Sequence, residues 1–268
     1  MNMIVCVKQV PDPEAPPASF KVDPATKNAV PPPGVAPVIS PFDENAVEAA
    51  LKIKDTDKSG HKITVLSLGN NLVRDVIKKP LAMGCDELVL LEDTAFEEGD
   101  SWSTAKALAE AIKKIGDFQV IFCGRQAADW DAGQVGPGIA EFLGIPSVTL
   151  AKKVEVGDGK VTVERLVADG VETVETPMPC LITVTNELGE PRYAALKGIM
   201  AAAKKQPTVW KPEDIGLSAS DTGAQGRNTE TKDLFQPVKE GKCEIIEGES
   251  PEEAAVALAV KLREAKVL

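Results

Sequence analysis

The chain has 268 residues, of which 43% are hydrophobic and 26% charged, enough to bury a core as one large domain or two small ones. Its single histidine, His61, removes most hydrolase triads and every metal site built on several imidazoles. A formal net charge of -11, with no basic run longer than Lys204-Lys205, excludes the basic face that a nucleic-acid binder needs.

Residues 3–10 are apolar and β-branched and read as a strand. Nine prolines between 11 and 37 forbid regular structure there and imply an extended surface loop. Ser40-Pro41-Phe42-Asp43 reads as a helix start: serine as N-cap, proline at the first helical position, and an acidic side chain completing a capping box. Ala46, Val47, Ala50, Leu51 and Ile53 carry that helix on at helical spacing. After Ser59-Gly60 a strand is expected over 61–68, with His61 as a solvated residue at its start and no catalytic role. Gly69-Asn70-Asn71 turns into a helix through Leu72, Val76, Ile77 and Leu81, kinked by Pro80 and stopped by Gly84.

Residues 87–91 read as a short buried strand, 101–115 as a helix and 118–123 as a fourth strand. This alternation predicts an α/β fold, a doubly wound and mostly parallel sheet whose ligands bind at the carboxyl ends of the strands. Beyond residue 146 a hairpin over 154–163 turns at Gly157-Asp158-Gly159, and strands over 172–175 and 180–184 follow. All of these are expected as antiparallel additions to the same sheet. Residues 206–248 are polar with few apolar anchors, and an amphipathic helix over 251–267, capped by Ser250, closes the chain. The division expected is a domain over 1–205 and an arm over 206–268. Two readings of the last helix stay open, docking on another chain and folding back onto its own domain.

The five cysteines (Cys6, Cys85, Cys123, Cys180, Cys243) are odd in number and widely spaced, and are expected to be buried reduced thiols. With no charged leader before an apolar stretch and no membrane-length apolar run, the chain is expected to be cytoplasmic.

Two stretches could carry chemistry. Gly124-Arg125-Gln126-Ala127-Ala128-Asp129-Trp130-Asp131-Ala132-Gly133-Gln134-Val135-Gly136-Pro137-Gly138 joins a buried strand to a helix over 139–143. Its small residues let a ligand approach the backbone, and N–H groups at the helix start suit a phosphate. Neither a Walker A nor a Gly-x-Gly-x-x-Gly pattern is present. Asp129 and Asp131 repel a phosphate, so any ligand role is to ribose hydroxyls or adenine amino groups; the alternative is a capping loop with two solvated aspartates. In the second stretch, 186–200, the only tyrosine, Tyr193, sits with Leu196, Ile199 and Met200 between polar flanks. That composition suits an exposed anchor patch; the alternative is that Leu196 and Met200 face the core.

The chain resembles the beta (small) subunit of electron-transfer flavoproteins over nearly its whole length. The resemblance is carried by Ile4-Val5-Cys6-Val7-Lys8-Gln9-Val10, Ser40-Pro41-Phe42-Asp43-Glu44, Ala82-Met83-Gly84 and Gly124-Arg125-Gln126-Ala127. It continues through Val163-Glu164-Arg165, Asp169-Gly170, Pro179-Cys180-Leu181-Ile182-Thr183-Val184 and Glu190-Pro191-Arg192-Tyr193-Ala194. It implies an adenine nucleotide alpha hydrolase-like fold and a heterodimer with an alpha (large) subunit, which shares an FAD and receives the 206–268 arm. It also implies AMP, or a second FAD in electron-bifurcating members that oxidise NADH, within this subunit's domain. The implied nucleotide site comprises Cys6, Ser40, Pro41, Phe42, Asp43, Leu68, Gly124, Arg125, Gln126, Ala127, Asp129, Asp131, Gly133, Gln134 and Val135. Gly133 and Val135 replace the asparagine and threonine usual in AMP-binding members, and Trp130 matches neither group. The implied recognition loop comprises Glu190, Arg192, Tyr193, Leu196, Ile199 and Met200, with Leu196 as the anchor for a dehydrogenase. An electron carrier is expected, with no metal and no catalytic centre of its own, taking electrons from dehydrogenases of the acyl-CoA type and passing them to a quinone reductase or other acceptor. Two rival readings are an ATP-dependent ligase or hydrolase, for which Val10-Pro11-Asp12-Pro13 supplies no phosphate loop, and a nucleotide-sensing stress-type protein, a free-standing homodimer.

Overall fold

Alternation along the first strand sets the layers. In β1 (Asn2–Cys6) Met3 and Val5 enter one apolar cluster while Ile4 and Cys6 enter the other, as the two-residue period of a strand buried on both faces requires. The computed structural model describes residues 1–268, with 24, 26, 57–59, 238–240 and 242 excepted.

Two short strands follow, β2 (Gln9–Val10) and β3 (Lys21–Asp23), then β4 (Asn28–Val30), β5 (Val38–Ile39) and α1 (Pro41–Thr56). The chain continues through β6 (Lys62–Gly69), α2 (Arg74–Ile77), α3 (Lys79–Met83), β7 (Glu87–Glu92), α4 (Ser101–Ile115), β8 (Val120–Gly124) and α5 (Val135–Leu143). Next come β9 (Ser147–Gly157), β10 (Lys160–Val167), β11 (Gly170–Pro177) and β12 (Cys180–Val184). The last elements are α6 (Leu196–Lys204), β13 (Thr208–Trp210), α7 (Gly223–Gly226) and α8 (Pro251–Glu264).

The main sheet has nine strands in the order β11-β10-β9-β12-β8-β1-β6-β7-β13. From β9 to β13 neighbours are parallel, and β10 and β11 add an antiparallel edge. One cluster packs α1, α3 and α6 against a face of the sheet; the other packs α4 and α5 against the opposite face. Helix α4 forms where the sequence places it because Asp100 accepts the Ser103 N–H at 3.0 Å and Ser103 Oγ answers the Asp100 N–H at 3.1 Å, a reciprocal cap. Its Ala105, Leu108, Ala109 and Ile112 then bury one side. The chain leaves β1 for β6 on one side and reaches β8 on the other, so the strand order reverses between β1 and β8, where such sheets open a crevice.

Several expectations are corrected. The strand expected over 3–10 breaks after Cys6, because the Lys8 N–H donates to Asp43 at 2.8 Å while β2 turns aside to pair antiparallel with β5. The proline-dense 11–37 segment holds a 3-10 turn at Pro17–Ser19 and a β3–β4 ribbon; its described prolines sit outside the strands of that ribbon. Pro80 separates rather than kinks: α2 ends at Ile77, and Pro80 stands at the second position of α3, where no intrahelical donor is required of it. Strand β12 is not an antiparallel addition but lies parallel between β8 and β9. The helix expected over 139–143 begins at Val135. Ser59, in the turn expected before the second strand, lies outside the described residues.

The division also falls elsewhere than 205/206. Strand β13 pairs with β7, and one compact unit runs Met1–Asp233, the other Leu234–Leu268. In the second unit the Ser250 hydroxyl caps α8 by accepting the Glu253 N–H at 3.2 Å, and Lys261 pairs with Glu244. Four cysteines are buried, but Cys243 is exposed, against the expectation that all five are interior. Among the described residues no helix is long and apolar enough to cross a membrane.

Candidate functional site

At the reversal between β1 and β8, the first turn of α1 ties the strand ends together. Asp43 is buried; its carboxylate accepts the N–H of Lys8 at 2.8 Å and that of Gly124 at 3.0 Å. Burial pushes its carboxyl up to about 7, against the downward pull of those two donors. Ser40 Oγ accepts the Ala128 N–H at 3.3 Å. The expected capping box is therefore replaced: both side chains hold distant backbone, while the Asp43 N–H is met by the Ser40 carbonyl at 2.9 Å. Gly124 has to be glycine, since a Cβ there would stand 2.5 Å from Asp43 Oδ1.

The following loop is pinned by its own polar groups. The Arg125 guanidinium lies over the Phe42 ring at 4.6 Å, and the Arg125 N–H donates to the Val184 carbonyl at 2.8 Å. Lys8 Nζ pairs with Asp129 at 2.6 Å, and Gln126 Nε2 donates to Asp131 at 2.7 Å. Neither aspartate is thus merely solvated; each is held through one carboxylate oxygen. Ala127 accepts the Asp131 N–H at 2.9 Å. Asp131 and Gly133 take positive φ (51° and 64°), turning the chain into α5, whose N-cap Gln134 supplies no side-chain cap.

Of the residues expected at a nucleotide site, Ser40, Phe42, Asp43, Gly124, Arg125, Gln126, Ala127, Asp129 and Asp131 are joined by these contacts. Cys6 and Cys123 are buried in one apolar cluster, against which Leu68 and Val135 pack; the Cys123 thiol is held well above its usual range by its hydrogen bond with Cys6 and by burial. Pro41 starts the helix with an exposed ring. Gly133 and Gln134 are exposed on the approach to α5. Lys8 and Ala128, absent from the expected site residues although both lie in stretches singled out in the sequence, are joined to the site by the Lys8–Asp43, Lys8–Asp129 and Ala128–Ser40 contacts.

A phosphate-bearing nucleotide fits this chemistry on two observations. Arg125 Nε is buried with no hydrogen-bond partner, and the first-turn N–H groups of α5 lack a side-chain cap, leaving donors and a positive helix end for an anion.

On the face covered by α1 and α6, Tyr193, Leu196, Ile199 and Met200 are exposed, as is Glu190. Arg192 points the other way, donating through Nε and Nη2 to Glu48 at 2.8 and 3.0 Å and through Nη2 to Asp55 at 2.8 Å.

The electron transfer flavoprotein domain family matches residues 34–215. The caffeyl-CoA reductase-Etf complex subunit CarD of Acetobacterium woodii is 39% identical over 268 residues, covering 100% of both chains. An electron transfer flavoprotein subunit beta of Thermoanaerobacterium thermosaccharolyticum is 41% identical over 249 residues (92% of this chain, 93% of that one), and one of Clostridium acetobutylicum 39% over 264 (98% of each). With the motifs of the sequence and the nine-stranded sheet, these matches establish that the chain belongs to the electron transfer flavoprotein family, as a small (beta) subunit.

Proposed function

We propose that this subunit holds an adenine nucleotide at the carboxyl ends of β1, β6 and β8 and shares an FAD with an alpha subunit. Electrons pass from a dehydrogenase of the acyl-CoA type to a quinone reductase or other acceptor. The observation that carries the nucleotide reading is the convergence of Ser40, Asp43 and the 124–135 loop where the strand order reverses. Asp43 and Ser40 hold the loop's backbone, Arg125 and the start of α5 meet the phosphate, and Cys6, Leu68 and Val135 line the apolar wall. FAD, when bound between the subunits, supplies the redox chemistry; this chain positions, insulates and docks. Glu190, Tyr193, Leu196, Ile199 and Met200 form the dehydrogenase contact, and the arm with α8 docks on the alpha subunit.

A second reading, a second FAD in place of AMP within an NADH-oxidising, electron-bifurcating complex, is favoured by Gly133 and Val135. Neither offers a side-chain donor to a phosphate, and residues 131–134 are exposed. Nucleotides released from the denatured, purified heterodimer distinguish the two. One FAD and one AMP support the carrier; two FAD and no AMP support bifurcation; one FAD alone overturns a nucleotide site in this chain. Ala127→Trp is expected to abolish the nucleotide of this subunit, and an unchanged content would remove the 124–135 loop from the site.

A further inference from the structure

Helix α1 carries a polar stripe beside its core-facing residues. Asn45, Glu48, Lys52 and Asp55 recur at helical spacing along one side, and all four reach the same distant segment. Asn45 Nδ2 donates to the Gly189 carbonyl at 2.8 Å and Lys52 Nζ to the Leu188 carbonyl at 3.0 Å. Glu48 accepts from the Arg192 N–H at 3.1 Å as well as from its guanidinium, and Asp55 takes the second Nη2 contact. Glu48 is only 5% exposed. A carboxylate so placed is costly unless its lone pairs are filled, and here one arginine fills both oxygens in a fork.

The other end of the segment is held by close packing. A Cβ on Gly198 would stand 2.2 Å from the Ala82 carbonyl oxygen, so only glycine lets α6 sit on α3. Between these two anchors the chain presents Tyr193 (96% exposed) and Leu196 (73%), and just past the second, on α6, Ile199 (50%) and Met200 (59%). Large apolar side chains on a loop otherwise free to fold inward need such restraint to stay outside.

We propose that Glu48, acting through Arg192, is the positioning residue of the docking loop: it holds residues 189–198 in the docking conformation before the dehydrogenase arrives. This rests on the docking reading above. A loop ordered in advance spares the association its ordering cost, so the effect appears in affinity for the partner and not in the flavin's own chemistry.

The test uses the heterodimer with a butyryl-CoA dehydrogenase and butyryl-CoA as electron source. Glu48→Ala is expected to raise KM for the flavoprotein about tenfold, with kcat, flavin spectrum and nucleotide content unchanged. In the heterodimer alone it should speed amide exchange over 189–198. Glu48→Gln, which keeps one acceptor and the shape, should fall between, and guards against a folding failure of the alanine variant. Arg192→Ala combined with Glu48→Ala should be no worse than the more damaging single change. Unchanged KM and unchanged exchange, additive effects in the double variant, or a fall in kcat with constant KM would each overturn the proposal. Leu196→Ala separates the two claims. If it leaves KM unaltered, the docking reading fails, and exchange alone then decides whether Glu48 orders the loop: faster exchange supports it, unaltered exchange overturns it.

Discussion

Asp43 Oδ1 accepts the N–H of Gly124 at 3.0 Å across 81 positions of sequence. Its other oxygen takes the N–H of Lys8 at 2.8 Å, so one side chain at the start of α1 closes the gap between β1 and β8. Asp43→Ala leaves two N–H donors without this acceptor, at a cost of about 1–3 kcal/mol each if they stay dry. Urea unfolding should show that loss, and the purified heterodimer should lose the nucleotide of this subunit. Full stability in the alanine variant would mean that water replaces the carboxylate.

The same carboxyl makes stability pH-dependent in a defined direction. Its folded value, about 7, lies above the ordinary 3.8, so between these values the folded state binds more protons than the unfolded one. Its contribution is therefore fully present below pH 3.8 and is lost as pH rises through 7. The stability of the wild type relative to Asp43→Asn should fall from about pH 4 to about pH 7 and level off above; a difference that grows over that range would show the carboxylate to be the preferred folded form.

Gly124→Ala places a Cβ 2.5 Å from Asp43 Oδ1 and 2.8 Å from Phe42. Overpacking of this kind costs about 1–3 kcal/mol and should open the loop enough to lower nucleotide content. At Gly157 an added Cβ would meet nothing within 4 Å, so Gly157→Ala should stay within about 0.5 kcal/mol of wild type. Equal melting shifts for the two variants would refute the crowding at Gly124.

Leu196 is exposed, so Leu196→Ala should leave the melting temperature alone while slowing reduction by the dehydrogenase. Stopped-flow flavin reduction reads this, and a wild-type rate removes the anchor role.

Thiol reactivity should divide four to one. Cys6, Cys85, Cys123 and Cys180 are buried, and Cys243 is exposed; burial pushes Cys85 and Cys180 up to about 12, far from the reactive thiolate. An aromatic disulfide reagent should titrate one thiol in the native chain, abolished by Cys243→Ser, and all five in denaturant.

Local patterns decided the elements themselves. Residues 101–115 read as a helix from Ala, Leu and Ile recurring on one face within a few turns, and the structure adds the Asp100–Ser103 cap at its start. The strand character of Cys180–Val184 was equally legible, since every residue in it is buried. Its neighbours were not: an apolar run reports burial on both faces, and nothing within five residues says that β8 and β9 flank it in parallel. The Ser40-Pro41-Phe42-Asp43 start marked a helix correctly, yet its polar side chains serve Ala128, Lys8 and Gly124. Those donors are brought up by other segments, and buried N–H groups take whatever acceptor the packing supplies. Arg192 likewise looked outward in sequence, but its partner Glu48 stands 144 positions away. Periodicity and capping act over a few residues and are written in the sequence; the pairing of distant donors and acceptors is settled only when the two layers close on the sheet, because that is when the competing water is expelled.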